Sequence, residues 1–281
     1  MAAKQAAEDG LKVLLVERKK KITEINRACL SLFYIHKVTA SPEVETGKSR
    51  ADGYIEPVSV ELLPDRCRFH FPGPGFSLDY DGSYIPYFDW VDMSPSGYII
   101  HRHKPNDKIW AIYYEKEVLL SGLLASAQKA GAEVWSETIG MGAENTPDGV
   151  KVTVRGKSGE QTLEARKAIA ADGFGSRIVE SLGLNKKRRV LTRARNVSYV
   201  LEGIECTIPE HQFSWLHFEC PAFPNKGIGR SFGMGTWGMN TKFMGSAWKE
   251  FAKLPEYAPW FRRAKVVKEM AMSTTLRTPI R

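Results

Sequence analysis

Two hydrophobic rhythms, one helical and one strand-like, follow each other twice along the chain. Ala2, Ala3, Ala6 and Ala7 lie at helical spacing, and Gly10 is the residue type that ends a helix in the left-handed conformation. Leu11-Lys12-Val13-Leu14-Leu15-Val16 is then a short apolar run of strand character, closed by Glu17. The same order returns later. Glu115 to Ala130 predicts a helix with Val118, Leu119, Leu120, Leu123, Leu124 and Ala127 on one apolar face, Gly131 stops it, and Ala132-Glu133-Val134-Trp135 predicts a short parallel strand. Val150 to Arg155 alternates with period two, Gly156-Lys157-Ser158-Gly159 supplies a turn, and Gln161 to Ala165 continues as the next strand of a meander. Ala168-Ile169-Ala170-Ala171 predicts one more buried strand, leading through Asp172-Gly173-Phe174-Gly175-Ser176-Arg177 into a helix that ends at Ser181-Leu182-Gly183-Leu184.

Residues 52 to 114 differ in character. Phe69, Phe71, Phe76, Tyr80, Tyr84, Tyr87, Phe88, Trp90, Tyr98, Trp110 and Tyr113, interrupted by Pro72-Gly73-Pro74-Gly75, predict antiparallel strands with tight turns. A sheet core without a ligand accounts for these aromatics as well as a substrate cavity does. His101 and His103 share one strand face, but no third ligand accompanies them, so a metal site is not expected. Gly233-Met234-Gly235-Thr236-Trp237-Gly238 has the spacing of a phosphate-binding turn. It lacks the preceding buried strand and the later strand ending in an acid, so glycines in a closely packed sheet are expected there instead.

With 281 residues, 43% of them hydrophobic and 26% charged, the chain is globular in composition and excludes disordered, collagenous and coiled-coil classes. No apolar run approaches the ~18 residues of a membrane span, and the first residues lack a signal-peptide core, so a cytoplasmic protein is expected. Cys29, Cys67, Cys206 and Cys220 are far apart, with no zinc or disulfide spacing. The net charge of +8 is concentrated at Lys19-Lys20-Lys21, Lys186-Lys187-Arg188-Arg189 and Arg262-Arg263-Ala264-Lys265. Solvated faces explain most of it; an anionic membrane surface or an anionic cofactor or substrate are the other readings. Nucleic acid is not an expected partner, because no binding motif accompanies the charge.

An acid at the carboxyl end of the second strand of a βαβ unit can accept hydrogen bonds from both hydroxyls of a ribose, which makes Glu17 a candidate nucleotide ligand; a plain surface carboxylate is the alternative. The block from Ala2 to Arg18 resembles the first helix and second strand of FAD-dependent oxidoreductases. Ala171-Asp172-Gly173-x-x-Ser176, followed by Leu182-Gly183, is similar to the Asp-Gly segment of the flavoproteins that include aromatic-ring hydroxylases and geranylgeranyl reductases. The resemblance implies an α/β fold: an FAD-binding Rossmann-like domain (βαβ with β-meander) at 1–50 and 98–185, incomplete at its N-terminus, plus an antiparallel-sheet substrate domain at 51–97 and 186–281. It implies FAD contacts from Glu17, Arg18, Arg27, Lys116, Val134, Asp172 and Gly173. Asp172 and Gly173 would lie beside the ribityl and pyrophosphate groups, Arg27 at the pyrophosphate, Lys116 where the family usually carries Arg or Gln, and the Val134 backbone at the adenine. From the residues alone, Asp172 or Ser176 could equally be a helix cap.

In this family a strand and a Gly-x-Gly-x-x-Gly turn precede the first helix, ~20 positions before the acid. Counting back from Glu17 reaches Met1 or just beyond it, and the segment from Pro259 to Arg281 resembles the family's approach to a Gly-Asp motif that does not follow. The sequence is therefore expected to be truncated at both ends. The stretch from His217 to Gly235 partly resembles the strand that faces the isoprenoid cavity in geranylgeranyl reductases, with Cys220 and Ala222 in place of the family's aromatics. The function implied is reduction of C=C bonds in a prenyl or other apolar substrate, with NAD(P)H or a reduced carrier as electron donor. The alternatives are an FAD-dependent monooxygenase acting on an aromatic or apolar substrate, and a non-catalytic fragment or interaction module. No catalytic acid–base pair stands out, and peripheral contact with a membrane would suit an apolar substrate.

Overall fold

A computed structural model describes residues 1–27, 31–34, 59–71, 76–94, 96–103, 109, 111–173, 175–205, 207, 212–217, 222–225, 231–237 and 252–278. The chain divides into two compact units, one comprising Met1–Ile25, Leu120–Ala194 and Thr274–Arg281, the other Asn26–Leu119 and Arg195–Ser273.

In the first unit, helix α1 (Ala2–Glu8) leads into strand β1 (Leu14–Val16). The long helix α2 (Lys116–Lys129), which starts in the second unit, leads in the same way into β10 (Glu133–Trp135). Both helices end as their glycines predict. Gly10 and Gly131 have φ of +78° and +100°, and the following N–H groups turn back onto the last helical turn, Leu11 to Ala6 O and Ala132 to Ala127 O, each at 3.0 Å. Small residues let the two helix–strand units pack closely: Ala7, Ala127 and Ala132 form a buried cluster with Ala3, Val13 and Ala130 around it. β1 and β10 are therefore parallel, with Leu14, Leu15 and Val16 opposite Glu133, Val134 and Trp135.

The meander has three strands where the alternation foretold two. β11 (Ile139–Thr146), β12 (Gly149–Gly156) and β13 (Gly159–Ala165) are antiparallel in that order. β11 was hidden because Gly140 and Gly142 break its hydrophobic period, and the ladder itself shifts register between them. Helix α3 (Arg177–Ser181) sits on this strand, where the Ser181 hydroxyl accepts from Ala143 N–H at 2.8 Å and donates to Ile178 O at 2.9 Å. Ala168-Ile169-Ala170-Ala171 departs from expectation. It is irregular and exposed, with Ile169 at 75%. An apolar run becomes a strand only where a neighbouring strand completes its hydrogen bonds, and among the described residues none pairs with this one.

The second unit is built mostly from antiparallel strands. β2 (Leu32–Tyr34), β9 (Ala111–Tyr114) and β6 (Tyr84–Tyr87) form one sheet, and β3 (Ser59–Leu62), β4 (Cys67–Phe71) and β5 (Phe76–Tyr80) another. Phe33, Phe69, Tyr80 and Tyr114 from both sheets pack ring against ring, with centroids 4.6–6.3 Å apart. Phe69 and Tyr80 are fully buried, at 0% and 2% exposure, so these aromatics serve a hydrophobic core. A mixed sheet of seven strands runs β18 (Lys265–Arg277), β14 (Val190–Glu202), β17 (Ser231–Trp237), β16 (Ala222–Asn225), β15 (Gln212–His217), β7 (Asp89–Met93) and β8 (Ile99–His103). A short helix, α4 (Ala258–Phe261), precedes β18. Gly233 and Gly235 lie inside β17, as a sheet origin for the Gly-x-Gly-x-x-Gly string requires; its last glycine falls outside the described residues, as does the helix expected near Ser246 to Lys253 except for Ala252 and Lys253, which form a turn.

Candidate dinucleotide-binding site

The end of β1 is fixed by a set of backbone and side-chain hydrogen bonds. β1 continues one residue beyond its formal end, because Glu17 N–H donates to Trp135 O at 2.9 Å. The chain then turns, and the turn is fixed by the acid's own side chain: Glu17 Oε1 accepts the N–H of Lys19 at 3.0 Å. Glu17 O accepts from Thr138 N–H at 3.0 Å, and Lys19 O from Glu137 N–H at 3.2 Å, so the turn is tied to the loop that leaves β10. Among the described residues the second carboxylate oxygen of Glu17 takes no hydrogen bond. A half-buried carboxylate held by one oxygen, with the other open at the carboxyl end of a parallel strand, has the donor-accepting chemistry that a ribose needs.

The loop that pins Glu17 left no sequence signal. Glu137 adopts φ of +51°, unusual for a residue with a side chain, and its carboxylate meets Lys157 Nζ at 2.8 Å. The Lys157 ammonium holds the Glu137 carboxyl below the usual carboxylate range. Thr138 is buried and donates its hydroxyl proton to Ser136 O at 2.9 Å. Long-range pairing, invisible in a local pattern, decides this geometry.

Val134 is half-buried in the middle of β10. Its neighbours Glu133 and Trp135 give their backbone groups to β1, Glu133 N–H to Val13 O and Trp135 O from Glu17 N–H. In a parallel pair the residue between such neighbours directs its own N–H and C=O to the opposite edge. Among the described residues no strand occupies that edge, so the Val134 backbone is available to a planar heterocycle with matching donors and acceptors. Arg18, next to Glu17, is exposed.

Asp172 lies in a bend, exposed, ahead of Gly173 with φ of +89°. The helix-cap role belongs to Ser176, whose hydroxyl accepts Val179 N–H at 2.9 Å. Capping therefore does not account for Asp172. Arg27 is exposed and Lys116 half-buried at the start of α2, both in the second unit. His101 and His103 both turn to the buried Asp89 carboxylate, at 3.2 and 2.6 Å, which gives these histidines a structural partner. Among the described residues no group of three or more His, Cys, Asp or Glu side chains is placed to hold a metal ion. Of the substrate-side stretch, Ala222–Asn225 forms β16, while Cys220 and Lys226 fall outside the described residues.

Two helix–strand units in parallel, a carboxylate at the first strand's end and an adjoining meander define a dinucleotide-binding α/β fold. The model of the FAD binding domain matches residues 104–266, more than half of the chain. The chain belongs to that family. It is 27% identical over 204 residues to digeranylgeranylglycerophospholipid reductase 1 of Methanothermobacter thermautotrophicus, and 27% over 205 residues to the corresponding reductase of Methanocaldococcus jannaschii. Each alignment covers 73% of this chain and 43% of the relative, so the chain spans less than half the length of the curated relatives it matches.

Among solved structures, a geranylgeranyl bacteriochlorophyll reductase-like protein from Thermoplasma acidophilum superposes with a TM-score of 0.64 at 17% identity, covering 100% of this chain and 65% of that one. The p-nitrophenol 4-monooxygenase of Pseudomonas putida gives 0.63 at 13% identity, covering 98% and 65%. These likenesses show the flavoprotein fold. FAD fits the residues of the first unit, given the open Glu17 oxygen, the unpaired edge at Val134 and an Asp172 not used as a cap.

Proposed function

We propose that this chain is the cofactor-holding portion of an FAD-dependent oxidoreductase that reduces C=C bonds of a prenyl or other apolar chain. The observation that carries the reading is the Glu17 carboxylate, fixed at the end of β1 by the Lys19 N–H with its other oxygen open. The two curated relatives, named for reduction of a digeranylgeranyl lipid, favour a prenyl substrate. Bound flavin supplies hydride to a double bond, or activated oxygen in a monooxygenase, and NAD(P)H or a reduced protein carrier supplies its electrons.

The work of this chain is binding and orientation. Glu17 accepts hydrogen bonds from the adenosine ribose, with Arg18 beside it, and the Val134 backbone meets the adenine edge. Asp172 accepts from hydroxyls of the ribityl side, and Gly173 lets its backbone come close to the ligand. The family resemblance implies two further FAD contacts, Arg27 and Lys116. Hydroxylation is the second reading, favoured by the fold shared with the monooxygenase. Anaerobic incubation of the protein with FAD, dithionite and a geranylgeranyl lipid, read by mass spectrometry, tests the choice. Gain of a hydrogen pair per double bond without oxygen supports the reductase; a product carrying an added oxygen atom, formed only in air with NAD(P)H, overturns it.

A further inference from the structure

The basic run that follows α3 is not used by the dinucleotide site; exposed aliphatic side chains accompany it, whereas in the run at 262–265, which is followed by the exposed Val266 and Val267, Arg263 is already paired with Glu205. Residues 184–193 contain Lys186, Lys187, Arg188, Arg189 and Arg193 and no acid. Lys186, Lys187, Arg189 and Arg193 are exposed. Arg188 is half-buried and structural: its Nε donates to Thr278 O at 2.6 Å and its Nη1 to Asn185 Oδ1 at 3.0 Å. Thr278 N–H donates to Arg189 O at 3.0 Å and Arg189 N–H donates to the Thr278 hydroxyl at 3.1 Å, so the run is held to the end of β18. The adjacent acid, Glu180, accepts from the Asn185 amide at 2.7 Å.

Large aliphatic side chains stand among these cations in the open: Leu184 is 42% exposed and Leu191 63%, while Val190, 46% exposed, starts the opposite face of β14. Leu191 and Arg193 are two apart on β14 and share a strand face. A solvated basic face does not need exposed leucines. Single-stranded nucleic acid is engaged by cations interleaved with aromatic rings, which 184–193 lacks, and a duplex takes cations on its phosphates without any use for exposed leucines. A second copy of the chain would bring like charge against like. Clustered Lys and Arg beside exposed aliphatic side chains match an anionic lipid surface, where the cations meet phosphates and the aliphatic groups enter the acyl boundary.

We infer that the corner formed by Leu184, Lys186, Lys187, Arg189 and Leu191 docks the protein on an anionic phospholipid bilayer. This goes beyond the flavoenzyme reading and does not rest on it, since the contact needs neither flavin nor a reducible substrate.

The test is co-sedimentation of the 281-residue chain with vesicles of phosphatidylcholine and phosphatidylglycerol in equal parts, with pure phosphatidylcholine beside them. Binding to the mixed vesicles alone, weakened by raised salt, is expected. Lys186→Ser/Lys187→Ser weakens it roughly 30-fold, at about fivefold per surface cation, and Leu191→Ser weakens it about tenfold. Lys20→Ser/Lys21→Ser removes the same charge from another exposed basic run and leaves binding within about twofold, because among the described residues no exposed large aliphatic side chain lies at 18–27 beside that run. Circular dichroism confirms that each variant is folded. Equal loss in both double variants overturns the proposal in favour of diffuse attraction by net charge, as does unchanged binding in Leu191→Ser. Tighter binding to a duplex oligonucleotide than to the vesicles also overturns it.

Discussion

Replacing Tyr80 by Phe isolates one buried hydroxyl. The ring itself is kept, edge-on to Tyr114 with centroids 6.0 Å apart at 88°, so its packing is preserved. The hydroxyl, in a side chain 2% exposed, donates to Ser83 O at 2.8 Å and accepts Glu115 N–H at 2.8 Å. Glu115 precedes α2 and its carbonyl receives the first bond of that helix, from Leu119 N–H at 3.1 Å. The variant therefore strands a turn carbonyl and one of the helix's orphan N–H groups. Two lost bonds at ~1 kcal/mol each, plus the desolvation of the groups left unpaired, give about 2–4 kcal/mol of destabilisation. Urea unfolding followed by tryptophan fluorescence should show a midpoint lower by about 1 M or more with an unchanged slope. A loss below about 0.5 kcal/mol, within the range of surface changes, would refute the reasoning.

Burial pushes the hydroxyls of Tyr80 and Tyr257 up to about 12. Above pH ~10 the unfolded chain releases these protons while the folded chain keeps them, so stability is lost as pH rises from ~10 to ~12, by about 2–3 kcal/mol per group. Urea midpoints measured at pH 9 and 11 should show this loss, and Tyr80→Phe should reduce it; an equal slope in the variant counts against the assignment. Glu17→Ala removes both the acceptor for Lys19 N–H and the open oxygen, and should weaken FAD ~10–100-fold by flavin-fluorescence titration. Glu17→Gln keeps an acceptor for Lys19 and should lose less, and equal affinities in all three proteins would contradict the ribose role. Ser181→Ala cuts α3 from β11 and should cost ~1 kcal/mol in chemical unfolding; no loss would mean that Ile178 packing alone seats the helix.

The parts of the fold that were legible are those whose signal is local. Gly10 and Gly131 announced the helix ends, and the alternation of Val150 to Arg155 announced β12. Glu17 was legible as a candidate because its place after an apolar run needs no knowledge of what packs there. The failures share a cause, dependence on partners distant in sequence. Ala168 to Ala171 is apolar enough for a strand yet stays irregular without a neighbour, and β11 forms despite its glycines because β12 supplies one. The loop 136–138, which fixes the Glu17 turn through Thr138 and Glu137, could be found only by folding β1 against β10. In the aromatic segment, residue type alone did not separate core from cavity; burial assigns Phe69, Tyr80, Tyr87 and Tyr114 to the core.

The proposed site holds the adenosine half of FAD through Glu17 and the edge of β10. Parallel titrations of the 281-residue chain with FAD, FMN and ADP measure it most directly. Saturable binding of FAD, competition by ADP, and FMN at least ~10-fold weaker are expected, since FMN lacks the ribose and adenine proposed to meet these groups. FMN bound as tightly as FAD, or FAD binding indifferent to ADP, would contradict it.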